Sequence, residues 1–304
     1  MPGLPLSPLA AAGVALLVLS ALPAPPSKQL VAHRGASAYA PEHTREAYEL
    51  AIAQAADYVE QDLGVTKDGV LVCLHDPTLE RTTNVEAVYP DRARVTGNTR
   101  QWMIVDFTWD ELQRLDAGSW FDGKYAGTRI LSWQQAIDLV RGRAGLYPEL
   151  KDPDIYRAHG FDVAALFAAS LRRNGLDRVG ADPKTPVIAQ SFDPDTLRAL
   201  QKALPTLPRV LLLAGGDSAV LSANGLREVA IYATGIGPAK SLIDRRPDLV
   251  ALAHDAGLTV TPYTFAARSP GRFDVVQAEM RYFLYDLGAD ALFTDNPDLF
   301  PKQH

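Results

Sequence analysis

Several polar residues of this chain recur in pairs at the ends of short apolar runs. His33 and Arg34 close "LVAHR", Glu60 and Asp62 stand in "YVEQDL", His75 and Asp76 end "VLVCLHD", and Glu149 and Lys151 end "YPELK". Side chains two apart on a strand share a face, so Glu60 projects with Asp62, and Glu149 with Lys151. Three converging carboxylates repel one another and resist ionisation unless a cation joins them. All-oxygen ligation favours one hard divalent cation, Ca²⁺ or Mg²⁺, over zinc. A zinc site through His33 or His75 is the geometric alternative, but no cysteine cluster or H-E-x-x-H run supports it. The two imidazoles are then free for proton transfer, one accepting and one donating. With Arg34 and Lys151 beside the cation, the set suits a phosphate ester: charge stabilisation, an activated nucleophile and a protonated leaving group. There is no P-loop or dinucleotide fingerprint, so the phosphate is expected on the substrate and not on a nucleotide cofactor.

Each of these residues also has a plain structural reading. A strand-end histidine is commonly a hydrogen-bonder, and an E-x-D pair is commonly a solvated edge. Their recurrence on successive strand ends favours a common site, since the plain reading must explain each separately. Gln190 ends a further run, "PVIAQ", and joins the candidates. Cys73 shares a face with His75 and reads as a small buried hydrophobe. His43 is placed beside the site or at the start of the helix after it, and His254 reads as structural.

What must position these residues is a regular alternation. Apolar runs at 30–33, 57–63 with 70–76, 145–151, 186–192, 209–214, 228–233, 258–265 and 291–295 read as strands. Helical patterns over 44–56, 133–141, 163–174, 195–203, 240–256 and 274–287 separate most of them, with Thr44 as a cap. Apolar strands joined by helices imply parallel pairing with covering crossovers. Eight such units predict an α/β fold, a (β/α)₈ TIM barrel, with a doubly wound open sheet as the rival. All the polar strand ends then meet on one face. Residues 80–130 break the rhythm with three of the four tryptophans, and read either as a cap over one barrel end or as a surface segment with its own small core.

The remaining composition bounds the class. The 304 residues are 47% hydrophobic and 22% charged, with a net charge of −6. No basic run is present, so no nucleic-acid partner is expected. Cys73 is the single cysteine, which excludes an internal disulfide. Residues 1–27 carry no charged side chain and hold the apolar run 9–22, of signal-peptide length and short for a spanning helix. This predicts a signal peptide and an exported, periplasmic or extracellular protein, or else an N-terminal membrane anchor, ahead of one domain over 28–304. Membrane contact is expected only through that segment or through lipid substrates.

The stretches "HRGASAYAPEHT", "YVEQDL", "TKDGVLVCLHD" with "LERTTN", "YPELK", "AQSFDP", "YATGIGP", "TPYTF" and "ALFTDNPD" together resemble the glycerophosphodiester phosphodiesterase family, in the family's order and over about residues 29–300. Glu-His-Thr in the first loop, where many members have Glu-Asn-Thr, resembles the exported bacterial branch. The resemblance implies a (β/α)₈ barrel with a small insertion after the second strand, here about 77–130. It implies metal-dependent hydrolysis of a small glycerophosphodiester to glycerol 3-phosphate and an alcohol. By motif matching, Glu60, Asp62 and Glu149 correspond to metal ligands, His33 and His75 to the acid–base pair, and Arg34 and Lys151 to phosphate contacts. Phe192, Tyr263 and Phe265 fall where members place a wall on the glycerol side. "TPYTF" departs from the many members that have His before the Pro. The alternatives are a lysophospholipase D-like enzyme on the same barrel, a metal-independent phosphatidylinositol-type phospholipase C, and a non-catalytic phospho-ligand binding protein.

Overall fold

The computed structural model describes Gly3 and residues 27–215 and 219–301. The apolar run 9–22, expected as a leader or anchor, lies outside the described residues. Among the described residues no helix is long and apolar enough to cross a membrane.

In chain order the strands are β1 (Gln29–Ala32), β2 (Tyr58–Val65), β3 (Leu71–Cys73), β4 (Arg94–Thr96), β5 (Thr99–Gln101) and β6 (Gly145–Leu150), followed by β7 (Ala189–Ser191), β8 (Arg209–Leu213), β9 (Gly235–Pro238), β10 (Thr259–Val260) and β11 (Ala291–Thr294). Eight of them pair in parallel in the order β10-β9-β8-β7-β6-β2-β1-β11. The ends of this path meet just beyond β10. Phe293 donates its N–H to the Pro262 carbonyl at 3.0 Å, and Phe265 donates to the Phe293 carbonyl at 2.9 Å. The result is a (β/α)₈ barrel. Its strands are buried on both faces, which is why they read as continuous apolar runs. Register sets the level at which polar side chains emerge. Asp62 stands opposite Glu149, and Glu149 opposite Gln190, so three strands deliver polar side chains at one level.

Most helices start where the sequence predicts. Thr44 accepts from the Ala47 N–H and caps Arg45–Ala53, and Ser132 forms a capping box ahead of Trp133–Val140. Three expectations need correction. The run 228–233 is not a strand. It finishes the helix Ala223–Val229, and the strand is Gly235–Pro238. Two glycines disguised it, and both are there for close approach: a Cβ on Gly235 would lie 2.3 Å from Thr259 Oγ1, and one on Gly237 2.7 Å from Leu212 Cδ2. The helix expected over 240–256 is two, Lys240–Arg245 and Leu249–Asp255, because Pro247 forces Arg246 out of the helical region (φ −135°, ψ 70°). The last helix is shorter than 274–287, with Val276–Arg281 passing into a π-helical turn, Tyr282–Asp286.

Strand β3 folds back antiparallel on β2, outside the barrel ring. Beyond it residues 77–130 gather a core of their own, with Leu79, Val85, Trp102, Phe107, Leu112 and Leu115 buried together and the hairpin β4–β5 at the edge. The barrel's central cavity takes no lining residue from this segment, which meets the cavity's rim through Arg81.

Candidate active site

The C-terminal ends of the barrel strands surround a cavity of ≈ 490 Å³ open to solvent. His33, Arg34, Glu60, Asp62, His75, Glu149, Lys151, Gln190, Phe192 and Tyr263 all line it, joined by Leu212, Thr264 and Phe293. Residues from the first barrel strand to the last therefore share one space, as barrel topology requires. Phe265 does not line it. Regular alternation stops beyond β10, so Tyr263 and Thr264 both face the cavity while Phe265 is fully buried against Phe283, with ring centroids 5.0 Å apart. The expected aromatic wall is Phe192 and Tyr263, set edge to face.

The floor holds the carboxylates. Glu60, Asp62 and Glu149 are buried. The Arg34 backbone N–H donates to Glu60 Oε2 at 2.7 Å, its Nε lies 3.3 Å from Asp62, and its NH1 donates to Glu42 at 3.1 Å. Arg34 sits at φ 57° and Gly35 at φ 86°, a tight reversal that turns both the amide and the guanidinium of Arg34 toward the acids. The Lys151 ammonium lies between Glu149, at 3.3 Å, and Asp62, at 3.7 Å. Burial works to raise the Asp62 carboxyl, but Lys151, the His43 hydrogen bond and Arg34 together hold it well below the usual range. Burial and then Asp62 push Glu60 well up, and the same two causes push Glu149 to about 8.

Each cavity histidine is held through Nδ1 by an aspartate. His33 Nδ1 lies 2.7 Å from Asp295, and His75 Nδ1 lies 2.6 Å from Asp76. An imidazole that donates Nδ1–H to a carboxylate presents Nε2 as its acceptor. Burial pushes the His75 imidazole down to about 4. Arg34 and Lys151 act in the same sense, while Asp62 and Asp76 oppose. His75 is thus neutral near pH 7, as a base must be.

The sequence did not reveal several partners of the site. Asp295 sits in the stretch "ALFTDNPD" without an assigned role, yet it is 2% exposed and also receives Ser37 Oγ–H and an Arg268 nitrogen. His43 is buried at φ 58°, with Nε2 2.8 Å from Asp62 and Nδ1 3.0 Å from the Tyr48 hydroxyl. Glu42 ties Arg34 to Arg81. Only the position of Glu42 and His43 in the loop between the first strand and its helix hinted at them. On the far wall, Gln190 is 2% exposed with Oε1 buried and without a hydrogen-bond partner, and the Tyr263 hydroxyl is likewise unpartnered.

The donor set fits a hard divalent cation. Ligand atoms of His43, Glu60 and Asp62 lie within 4.8 Å of one another. Both His43 nitrogens are already engaged, so His43 orients Asp62 and the carboxylates are the donors. Glu149 adds a third carboxylate from the neighbouring strand β6, opposite Asp62. Three carboxyl groups share this floor with two cations, Arg34 and Lys151, and burial followed by the charge of Asp62 raises Glu60 and Glu149, a strain that a bound cation would relieve.

A sequence model of the Glycerophosphoryl diester phosphodiesterase family matches residues 33–299. The chain is 34% identical over 280 residues to a glycerophosphodiester phosphodiesterase of Bacillus subtilis (strain 168), covering 90% of this chain and 85% of that protein. It is 32% identical over 328 residues to one from Haemophilus influenzae, covering 89% and 88%. Among solved structures, the glycerophosphodiester phosphodiesterase of Agrobacterium tumefaciens superimposes with a TM-score of 0.67 at 30% identity, covering 90% of this chain and 98% of that one. A phosphodiesterase of Oleispira antarctica in complex with the product sn-glycerol-3-phosphate superimposes with a TM-score of 0.68 at 26% identity, covering 90% and 94%.

Proposed function

The chain belongs to the glycerophosphoryl diester phosphodiesterase family, and from that premise we propose that it hydrolyses small glycerophosphodiesters to glycerol 3-phosphate and an alcohol. One observation carries the catalytic reading: two Nδ1-anchored histidines share a cavity with three buried carboxylates, an arginine and a lysine. The Oleispira relative, with sn-glycerol-3-phosphate as its product, supports the substrate class.

Binding and proton transfer fall to different residues. Arg34 and Lys151 draw the phosphodiester to the cavity and, being largely buried, act where water screens them little. Nε2 of one histidine takes the proton of the attacking hydroxyl, either water or the glycerol 2-hydroxyl. A new P–O bond forms and the P–O bond to the alcohol breaks. The other histidine, entering as the imidazolium, gives its Nε2 proton to the departing oxygen. If the 2-hydroxyl attacks, the cyclic phosphate is then opened by water with the histidines exchanging roles. Glu60, Asp62 and Glu149 would hold one divalent cation, Ca²⁺ or Mg²⁺, which would supply charge stabilisation to the transferring phosphoryl group.

The deciding measurement is glycerol 3-phosphate release from glycerophosphocholine, with EDTA and then with Ca²⁺ or Mg²⁺ restored. Release that EDTA stops and a cation restores is expected. Release indifferent to EDTA would remove the carboxylate site from the reaction, and no release under either cation would overturn the assignment. Glu60→Gln should shift the cation requirement to higher concentration. Export is part of the same proposal, supported by the uncharged apolar run 9–22; recovery of the protein only from the cytosolic fraction would refute it.

A further inference from the structure

Two arginines reach in from outside the strand ends toward the aspartates that hold the histidines. Arg268 sets one nitrogen 2.9 Å from Asp295 and is itself 74% exposed. Arg81, from the inserted segment, is tied at more points. Its Nε donates to Asp76 Oδ2, while its NH1 and NH2 take both oxygens of Glu42 at 3.0 and 2.6 Å. The other oxygen of Asp76 holds His75. One planar guanidinium thus bridges the loop after β1 and the loop after β3, a span that a fixed fork of donors makes and a point charge does not.

We propose that Arg81 is a positioning residue for the reaction: it fixes the Asp76 carboxylate and thereby the direction in which His75 presents Nε2 to the cavity. The inserted segment then belongs to the acid–base machinery through this one side chain. The Asp76 side chain is 28% exposed, so without Arg81 it is free to turn to solvent and release the imidazole. Arg81 itself is anchored. Burial works to raise the Glu42 carboxyl, yet Arg81 and Arg34 hold it at about 2, so the anchor stays charged across the working pH range. A misplacement of about 1 Å in the imidazole costs on the order of 10² in rate.

The kinetic readout rests on the phosphodiesterase reading, and a second readout does not. In the full chain with cation, Arg81→Ala should lower kcat about 10- to 100-fold with KM little changed. Arg81→Lys should recover only part of the loss, and Glu42→Gln, which loosens Arg34 as well as Arg81, should lower kcat and raise KM together. In a His75→Ala background, Arg81→Ala should cost nothing further, because its effect runs through His75. Independently of any substrate, the NMR titration midpoint of His75 should fall in Arg81→Ala, because an Asp76 turned to solvent no longer gives the imidazole the hydrogen bond that raises it. Of the charged groups facing the imidazole, Asp62, Arg34 and Lys151 stay in place and Asp76 loses Arg81; Glu42 loses Arg81 too but keeps Arg34. Wild-type kcat with an unmoved midpoint, or a lowered Tm alone, would overturn the proposal. So would a full additional loss in the His75→Ala background. An inactive wild type would refute the phosphodiesterase reading instead, and the His75 midpoint would still decide the role of Arg81.

Discussion

His33 and His75 look alike in sequence, each a histidine at a strand end, but their surroundings differ. His33 leans on a buried aspartate from the end of the last barrel strand, 262 positions away. His75 leans on its own neighbour, Asp76. Replacing either by Ala should cost on the order of 10²–10⁴ in kcat, read as glycerol 3-phosphate release; near-normal turnover would remove that residue from the reaction. Glu149 gives a pH-dependent test. Its carboxyl is raised to about 8, so below that pH it retains a proton that a bound cation must expel. Cation affinity should therefore tighten as pH rises toward 8, with proton release measurable by calorimetry in buffers of different ionisation enthalpy. Affinity that is flat between pH 6 and 8, with no proton release, would contradict a ligand role for Glu149. The sign for stability is opposite. Without the cation, the folded state binds more protons at this site than the unfolded chain between pH 4.5 and about 8, so this contribution is lost as pH rises through that window.

At the scale of elements, the first loop shows how a turn places chemistry. Gly35 has φ 86°, and a Cβ there would lie 2.7 Å from both the carbonyl carbon and oxygen of Ala47 in the next helix. Gly35→Ala should cost about 1–3 kcal/mol in stability, measured by thermal or denaturant unfolding, and should lower kcat because Arg34 is the adjacent residue. Unchanged stability would mean that the loop tolerates a wider turn. The same scale explains which elements the sequence disclosed. Strands β1, β2, β6, β8 and β11 are apolar runs whose burial alone defines them. Strand β9 was missed because Gly-Ile-Gly-Pro reads as a turn, while its real constraint is the closeness of Thr259 and Leu212 on the neighbouring strands. The break at Pro247 was present in the sequence, and there the local rule outweighs the helical periodicity on either side.

For the whole molecule, closing the sheet into a barrel converts strand ends into a single cavity, and the cavity's lining bears on substrate. Its apolar wall of Phe192, Leu212, Tyr263 and Phe293, set over the charged floor, suits a glycerophosphodiester. Glycerophosphocholine should be turned over in preference to lysophosphatidylcholine when kcat/KM is compared; the reverse order would favour the lysophospholipase D-like alternative. The sequence by itself determined the alternation of parallel strands and helices, the acidic and basic strand-end residues and the phosphate chemistry they suit, because element pattern and side-chain type are local properties. Tertiary structure alone decided that Asp295 backs His33, that His43 orients Asp62, that Arg81 joins the inserted segment to His75, and that Phe265 turns away from the site. These depend on which residues distant in the chain come within hydrogen-bonding distance once the ring closes, and on where regular alternation ends, neither of which is encoded in the spacing of any one segment.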